Sequence, residues 1–292
     1  QRNPRHCESA VGRSIVTTRG EKTASIKGVA PSVNFISLRV LGRNGRGKES
    51  DVIRAIQRAI ELKDQYNIRI INLSLGRPIY TSFTEDPLCD AVEAAWKAGI
   101  VVVVAAGNQG RDISFGSHGY VTIMSPGNTP FVFTVGAMNT KATKAPADDV
   151  MASFSSKGPT LIDQVVKPDL VAPGNQVVNL AYTKSDLYSS GKSSPVKLGS
   201  GRFIHLSGTS MAAPMVSGVV ALLLEKEPHL TPDQVKARLM RTASKHFPSM
   251  SVVRDASTGA FYNVQYDIFT VGAGYLDAMA ALGTTDATPP AG

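Results

Sequence analysis

The sequence predicts an α/β protein, a doubly wound, mostly parallel sheet with flanking helices. Three observations support this prediction. Segments rich in β-branched residues alternate with segments of helical apolar spacing, which gives a βαβαβ unit. Residues 100–105 are apolar without interruption, as in a strand that is buried on both faces of a parallel sheet. A length of 292 residues, 42% of them hydrophobic, is enough for a sizeable core.

The first half of the chain carries the βαβαβ pattern. Residues 33–41 alternate between apolar and polar side chains and predict a strand. Residues 50–65 have apolar side chains at helical spacing, and residues 68–73 form the next predicted strand. A second helix is predicted over residues 87–98, with Gly99 as its stop signal.

The second half predicts shorter elements. They are a strand at 131–137, a short edge strand at 152–155, a surface loop or hairpin at 183–201, a helix from Thr231 to about Ala243, a hairpin around residues 257–259 and a last short helix at 272–282. The helix at Thr231 begins with a capping box, because Thr231 is followed by a proline and then by Gln234.

Charge and composition exclude several classes of partner. The net charge of +8 does not form a basic stripe with interleaved aromatic residues, so we expect no nucleic-acid partner. The longest apolar run, Ile100 to Ala106, is far shorter than the roughly 20 residues of a membrane-spanning helix, so no membrane partner is expected either. Cys7 and Cys89 are too few for a disulfide framework or a zinc site.

The most informative stretch is residues 206–224, a tight turn that leads into an apolar helix. Gly208 permits a sharp bend, and Ser210 falls in the first helical turn, where backbone N–H groups lack partners and favour an anion. A hydroxyl placed there can attack a carbonyl group, and the oxyanion that forms is stabilised by the N–H groups. Pro214 costs this helix one hydrogen bond unless the helix begins late.

Residues 208–218, Gly-Thr-Ser-Met-Ala-Ala-Pro-Met-Val-Ser-Gly, resemble the nucleophile segment of the subtilisin-like serine proteases (subtilases). Further segments resemble the family in order: 28–31 with 38–41, then 71–76 and 103–108. The resemblance implies a serine-type endopeptidase of subtilisin-like fold. It also implies an extended polypeptide substrate and a secreted, extracellular location.

The resemblance assigns two catalytic positions, Ser210 as nucleophile and Asn108 in the oxyanion hole. Asn108 follows a buried strand, so its side chain is expected at the carboxyl edge of the sheet, where such folds bind ligands. An amide donor aimed at the oxyanion is worth about 3–4 kcal/mol, a magnitude measured on subtilisin itself. The alternative for Asn108 is an ordinary turn asparagine.

We expect an extended substrate to pair with two backbone segments and to enter one small pocket. The two segments are Ser74, Leu75 and Gly76 at a strand end, and Gly45, Arg46 and Gly47 in a turn-rich loop. The pocket is floored by small residues, which predicts a roomy, apolar site: Ala105, Ala106 and Gly107. Arg46 would make one rim basic, although an arginine at such a position is more often a solvated surface residue.

The sequence departs from the family at its start. A subtilase triad runs Asp, His, Ser along the chain, and neither the Asp segment nor the His segment is found before residue 28. We therefore expect an N-terminally truncated domain, inactive alone and poorly soluble, with Val103 and Leu223 incompletely covered. The expected organisation is an irregular, non-matching segment (1–22), a partial peptidase domain (23–283), monomeric if folded, and a linker or tail (284–292).

The chain has five histidines, His6, His118, His205, His229 and His246. Each is a weak candidate for the catalytic base, because a lone histidine is more often packed or solvated. A non-catalytic peptide-binding remnant, or a gene fragment, therefore stays open as the alternative function. An esterase on an α/β-hydrolase fold lacks its Gly-x-Ser-x-Gly motif here. The family often binds structural calcium, but no ligands are identifiable, and no cofactor or metal site is predicted.

Overall fold

A computed structural model describes residues 14–19, 22–112, 116–143, 145–181, 186, 195–198, 201–255 and 258–284 of the chain, with the backbone alone at 14–19, 22–26, 195–198 and 201–202. The strands are β1 (Ser14–Arg19), β2 (Lys22–Lys27), β3 (Ile70–Leu73), β4 (Val101–Ala105), β5 (Phe133–Asn139), β6 (Val150–Met151), β7 (Leu170–Pro173), β8 (Val177–Leu180), β9 (Pro195–Leu198), β10 (Gly201–Leu206), β11 (Met250–Arg254) and β12 (Phe261–Gln265). The helices are α1 (Glu49–Glu61), α2 (Lys63–Tyr66), α3 (Pro87–Lys97), α4 (Thr209–Lys226), α5 (Pro232–Thr242), α6 (Ile268–Val271) and α7 (Ala278–Gly283).

The central sheet confirms the predicted α/β class. Its order is β3-β4-β5-β6, with β7 also paired to β5. The β3–β4, β4–β5 and β5–β7 pairs are all parallel, and only the two-residue β6 is antiparallel. The parallel strands all end at one edge of the sheet, and that edge leads into the loops at Ser74 and Asn108.

Helices cover both faces of β4. Helix α4 packs along β3, β4, β5 and β7, while α3 packs on β4 and on α1. Val103 and Leu223 are each 0% exposed, so the prediction that they would be poorly covered is wrong. The two layers of helices enclose Val103, as the uninterrupted apolar sequence of β4 requires. Leu223 lies on α4 itself, in the same buried core cluster.

The prediction of a strand over residues 33–41 is wrong. These residues form no regular secondary structure and pair with no strand among the described residues, and Phe35, Ile36 and Leu38 are exposed. Alternating side chains indicate only a local preference for extended backbone. A strand also requires a neighbour to accept its hydrogen bonds.

The prediction of irregular structure throughout residues 1–22 is wrong at residues 14–19, which form β1 and pair antiparallel with β2. The signal was present, because the strand contains the β-branched run Ile15-Val16-Thr17-Thr18. The short strand expected at 152–155 lies instead at Val150–Met151. The rest of residues 1–22, His6 and Cys7 included, lies outside the described residues.

Local sequence signals set several other boundaries correctly. The side chain of Thr231 accepts a hydrogen bond from the Gln234 N–H, and the Gln234 side chain bonds back, which is the predicted capping box. Gly99 follows the end of α3 with a φ of +83°, which favours glycine. The hairpin expected at 257–259 is β11–β12, in which Arg254 pairs with Phe261.

Candidate active site

Asn108 and the start of α4 are in direct contact. The side-chain oxygen Oδ1 of Asn108 accepts hydrogen bonds from the Thr209 backbone N–H at 2.9 Å and lies 3.1 Å from the Thr209 hydroxyl. That hydroxyl also accepts the N–H of Gly107 at 3.1 Å. Two of the chain segments predicted for the site therefore meet at Thr209, the residue before Ser210. With Oδ1 occupied, the Nδ2 group of exposed Asn108 makes no hydrogen bond to a described residue.

Ser210 is bonded to Ser74 through two hydrogen bonds. The Ser210 hydroxyl donates to the carbonyl oxygen of Ser74 at 3.2 Å, and the Ser74 hydroxyl donates to the carbonyl oxygen of Ser210 at 2.9 Å. Asn72 Nδ2 in turn donates to the Ser74 hydroxyl at 2.9 Å. The carboxyl end of β3 is thus fastened to the first turn of α4.

Pro214 explains why the Ser210 carbonyl is available. In a regular helix the carbonyl of residue 210 accepts the N–H of residue 214, but here α4 begins at Thr209 and Pro214 lies inside it. Because proline has no N–H, the hydroxyl of Ser74 takes the place of the missing donor. The helix does not begin late, so the hydrogen bond that the sequence predicted to be lost is replaced by one from Ser74, the residue that follows β3.

The segment Ser74–Gly76 is anchored beside the loop at Ser125 by the next residue, Arg77. Arg77 and Ser125 exchange two backbone hydrogen bonds, of 3.0 and 2.9 Å. The Arg77 guanidinium contacts Glu49 and lies 2.7 Å from Asp86. Burial disfavours its charge, but the hydrogen bond to Glu49 and the attraction of Asp86 outweigh this, and the pKa of Arg77 is raised. The backbone of Leu75 and Gly76 makes no hydrogen bond to other described backbone, so it is available to an extended peptide.

The loop Gly45–Gly47 uses much of its own hydrogen-bonding capacity. Gly45 N–H donates to the Gly42 carbonyl, and Arg46 N–H to Asn44 Oδ1. The Arg46 carbonyl accepts the Gly42 N–H at 2.8 Å. The expected pairing edge is therefore reduced to Gly47 and the carbonyl of Gly45. Gly45 lines the same cavity as Ser74 and Leu75, and the Arg46 side chain is exposed.

Sequence reasoning missed Met124, which lies between Gly76 of one predicted pairing segment and Gly107 of the predicted pocket floor. A Cβ atom on Gly107 would meet Met124 Cγ at 2.7 Å, and one on Gly76 would meet Met124 Cβ at 3.2 Å. The backbone N–H of Met124 donates to the carbonyl of Ala106 at 3.0 Å. Ala105, Ala106 and Gly107 are buried as expected. The space beside them is partly filled by this thioether side chain, so the pocket is narrower than predicted.

None of the four described histidines hydrogen-bonds Ser210. His118, His229 and His246 are exposed, and Nδ1 of His205 lies 2.9 Å from the carbonyl oxygen of Gln176. Among the described residues, the hydrogen bond of the Ser210 hydroxyl goes to a backbone carbonyl, which cannot accept a proton as a general base. Cys89 is not a candidate nucleophile, because burial, with Asp86 close by, raises the pKa of its thiol to about 12.

Among the residues that the structure describes, no three His, Cys, Asp or Glu side chains converge into a group that could hold a metal ion. No described helix combines the length and the hydropathy needed to cross a membrane.

The fold and the contact of Asn108 with the start of α4 define a subtilisin-like α/β protein. Residues 13–272 match the family model of the subtilase family, Peptidase_S8. The chain is 40% identical over 245 residues to serine protease AprX of Bacillus subtilis (strain 168), covering 82% of this chain and 52% of AprX. It is 36% identical over 224 residues to subtilisin DY of Bacillus licheniformis, covering 77% of this chain and 66% of that protein.

Solved structures agree with the sequence matches. The crystal structure of a cold adapted subtilisin-like serine proteinase aligns with a TM-score of 0.58 at 28% identity, covering 82% of this chain and 67% of that chain. The chain belongs to the subtilase family of serine peptidases, which act on polypeptides. It spans about half the length of AprX.

Proposed function

We propose that this chain carries the nucleophile and oxyanion-binding half of a serine endopeptidase site. Ser210 is the nucleophile, and Asn108 donates from Nδ2 to the oxyanion of the tetrahedral intermediate. The single observation that supports this assignment is the Asn108 Oδ1 to Thr209 N–H hydrogen bond of 2.9 Å, because it orients the carboxamide beside Ser210. The N–H groups at the start of α4 add a second source of stabilisation.

In the proposed reaction, the Ser210 oxygen bonds to the carbonyl carbon of the substrate and its proton passes to a base. The acyl-enzyme forms when the C–N bond breaks and the amine leaves with a proton. Among the described residues, the base is missing, and the Ser210 hydroxyl donates to Ser74 instead. We therefore propose that this chain alone is a poor peptidase. With triad members removed, subtilisin itself retains only about 10³–10⁴-fold acceleration over water.

The substrate is an extended polypeptide that pairs with the backbone of Leu75 and Gly76 and places one side chain beside Met124. This pairing would use backbone hydrogen bonds, as in strand addition. The location proposed by resemblance is extracellular, and the chain is proposed to be a monomer. We propose no cofactor and no nucleic-acid or membrane partner.

A fluorophosphonate probe tests the assignment, because it labels only an activated serine. If a base is supplied from outside the described residues, labelling occurs at Ser210 and is abolished by Ser210→Ala. Asn108→Ala slows labelling by up to about 10²–10³-fold, the cost known for the equivalent change in subtilisin. Ser249→Ala, which alters an exposed serine before β11, is the matched control and should leave labelling unchanged.

The second candidate is a non-catalytic peptide-binding protein, favoured by the bond of Ser210 to a backbone carbonyl. Retained binding of an extended peptide, with no probe capture at Ser210 under any condition, would establish this alternative and overturn the enzymatic proposal. Capture at another serine would overturn the assignment of Ser210.

A further inference from the structure

The loop at residues 42–47 contains the only asparagine of the chain that is followed by a glycine, Asn44. The whole loop is exposed. An asparagine in this position is reactive, because the backbone nitrogen of the next residue can attack its carboxamide carbon Cγ, and glycine has no Cβ to shield that nitrogen. A Cβ atom built on Gly45 would meet no atom within 4 Å outside the adjacent residues, so the surroundings leave the nitrogen accessible as well.

The Asn44 side chain is folded back over this loop. Its Oδ1 atom accepts the backbone N–H of Arg46 at 3.0 Å, which closes an Asx turn around the peptide group of Gly45. A Cβ atom on Gly42 would meet the same Oδ1 at 3.3 Å. The hydrogen bond from Arg46 draws electrons away from Cγ and stabilises the oxyanion that forms when the Gly45 nitrogen attacks. The turn therefore both orients and activates the carboxamide.

The charges around the loop favour the same attack. Negative charge develops first on the Gly45 nitrogen, as it loses its proton, and then on Oδ1 of Asn44. Positive charge is supplied nearby by Arg43, Arg46 and Lys48, and the next acidic residue along the chain, Glu49, contacts Arg77. Because the three cations are exposed, solvent and salt weaken their effect. They add to the hydrogen bond from Arg46 and do not replace it.

One contact opposes the attack. The Gly45 N–H donates to the Gly42 carbonyl at 3.1 Å, and this hydrogen bond must open before the nitrogen can react. A hydrogen bond of this kind slows the reaction by about tenfold at most, because its net contribution to stability is small. The Gly42 N–H also donates to the Arg46 carbonyl at 2.8 Å, so a second bond keeps the loop closed while the first one opens.

Asn139 provides an internal comparison. Its Oδ1 accepts the backbone N–H of Lys141 at 3.0 Å, which is the same Asx turn with the same distance. The residue after Asn139 is Thr140, whose β-branched side chain shields its own nitrogen. Asn44 and Asn139 thus share the turn and a basic residue two positions later, and they differ in the residue that carries the attacking nitrogen.

We propose that Asn44 is a site of spontaneous deamidation. The Gly45 nitrogen bonds to Cγ, the bond between Cγ and Nδ2 breaks, and Nδ2 leaves as ammonia with the proton that the Gly45 nitrogen gives up. Water then opens the cyclic imide at either of its carbonyl groups, which yields isoaspartate or aspartate. Nothing is oxidised or reduced. The modification does not depend on the catalytic assignment of Ser210.

The product changes the loop in two ways. Either acid adds one negative charge beside Arg43 and Arg46, and isoaspartate also adds a methylene group to the backbone between Gly42 and Arg46. The added length displaces the backbone that makes the 2.8 Å hydrogen bond. The same loop contributes Gly47 and the Gly45 carbonyl to the expected pairing edge, so deamidation would weaken peptide pairing there; this consequence alone rests on the proposed function.

The test incubates the full chain in mildly alkaline buffer and follows Asn44 and Asn139 by peptide mapping with mass spectrometry. We expect Asn44 to convert at least about tenfold faster than Asn139, which corresponds to a barrier difference of about 1.4 kcal/mol. Isoaspartate, detected by enzymatic methylation of its carboxylate, identifies the imide route, because direct hydrolysis of the carboxamide yields aspartate alone. A parallel sample unfolded in guanidinium chloride shows whether the folded loop keeps Asn44 reactive.

Two variants separate the turn from the glycine. Thr140→Gly places a glycine after the second Asx turn and should raise the conversion rate of Asn139 at least about tenfold. Asn44→Gln should leave the loop unmodified, because the longer side chain must close a larger ring. The proposal is overturned if Asn44 stays intact in the folded chain but converts in the unfolded one, or if aspartate forms without isoaspartate. Equal rates at Asn44 and Asn139, or an unreactive Asn139 in folded Thr140→Gly, would overturn it too.

Discussion

Replacing Ser74 with alanine tests whether this side chain compensates for Pro214. The change deletes the donor to the Ser210 carbonyl and the acceptor of Asn72 Nδ2, both at 2.9 Å. Pro214 cannot supply another donor, so a partly buried backbone carbonyl is left unsatisfied. Such a group costs about 1–3 kcal/mol when buried, and because Ser74 is only half-buried we expect about 1.5 kcal/mol.

Urea unfolding followed by tryptophan fluorescence measures this cost. Trp96 is the single tryptophan of the chain and is 4% exposed, so its emission reports the loss of the core. Ser50→Ala, at an exposed position of α1, is the control and should change stability by less than about 0.5 kcal/mol.

A double-mutant cycle makes the test specific. Pro214→Ala restores an N–H that can donate to the Ser210 carbonyl inside the helix. In that background the effect of Ser74→Ala should shrink by about 1 kcal/mol. If the two substitutions are additive within about 0.5 kcal/mol, the compensation is refuted.

Two other predictions concern a buried ion group and the pocket. Asp169 lies 2.7 Å from Lys167 and 3.0 Å from Lys236. Asp169→Asn should cost about 3–5 kcal/mol in urea unfolding, because Lys167 stays buried without its counter-charge. Asp64→Asn, at an exposed position of α2, is the control and should cost little. Burial would raise the pKa of Asp169, but the two lysines outweigh this effect and lower that pKa. The ionised carboxylate therefore stabilises the fold above about pH 4, and this stabilisation is lost as the pH falls through the lowered pKa. Equal acid sensitivity of the wild type and of Asp169→Asn would contradict this. Met124→Ala enlarges the pocket. The ratio of the affinities for product-like peptides ending in phenylalanine and in alanine should therefore shift at least about tenfold towards phenylalanine. An unchanged affinity ratio would mean that Met124 does not limit the pocket.

Local sequence patterns were sufficient to predict an element when its structure depends on residues close to it in the sequence. The apolar run of β4, the capping box at Thr231 and the stop at Gly99 all lie where the sequence predicted them. Each depends on neighbours within a few residues or on a simple need for burial. The four family segments likewise identified the segments that carry Asn108 and Ser210, because the turn that presents each residue is formed by residues adjacent in the sequence.

The same patterns were insufficient where the outcome depends on a distant partner. Residues 33–41 have the alternation of a strand but no neighbour to pair with among the described residues. Met124 has no distinctive sequence context, and its position between Gly76 and Gly107 arises only when two separate loops converge. The hydrogen bond from Ser74 to the Ser210 carbonyl joins residues that are 136 positions apart.

The sequence by itself determined the α/β class, the family and the turn that presents Ser210, because periodicity, glycine and proline act over short distances along the chain. Only the tertiary structure decided that Ser74 replaces the donor lost at Pro214 and that Met124 narrows the pocket. Those features depend on which backbone edges and side chains come together in space, and no local pattern encodes that arrangement.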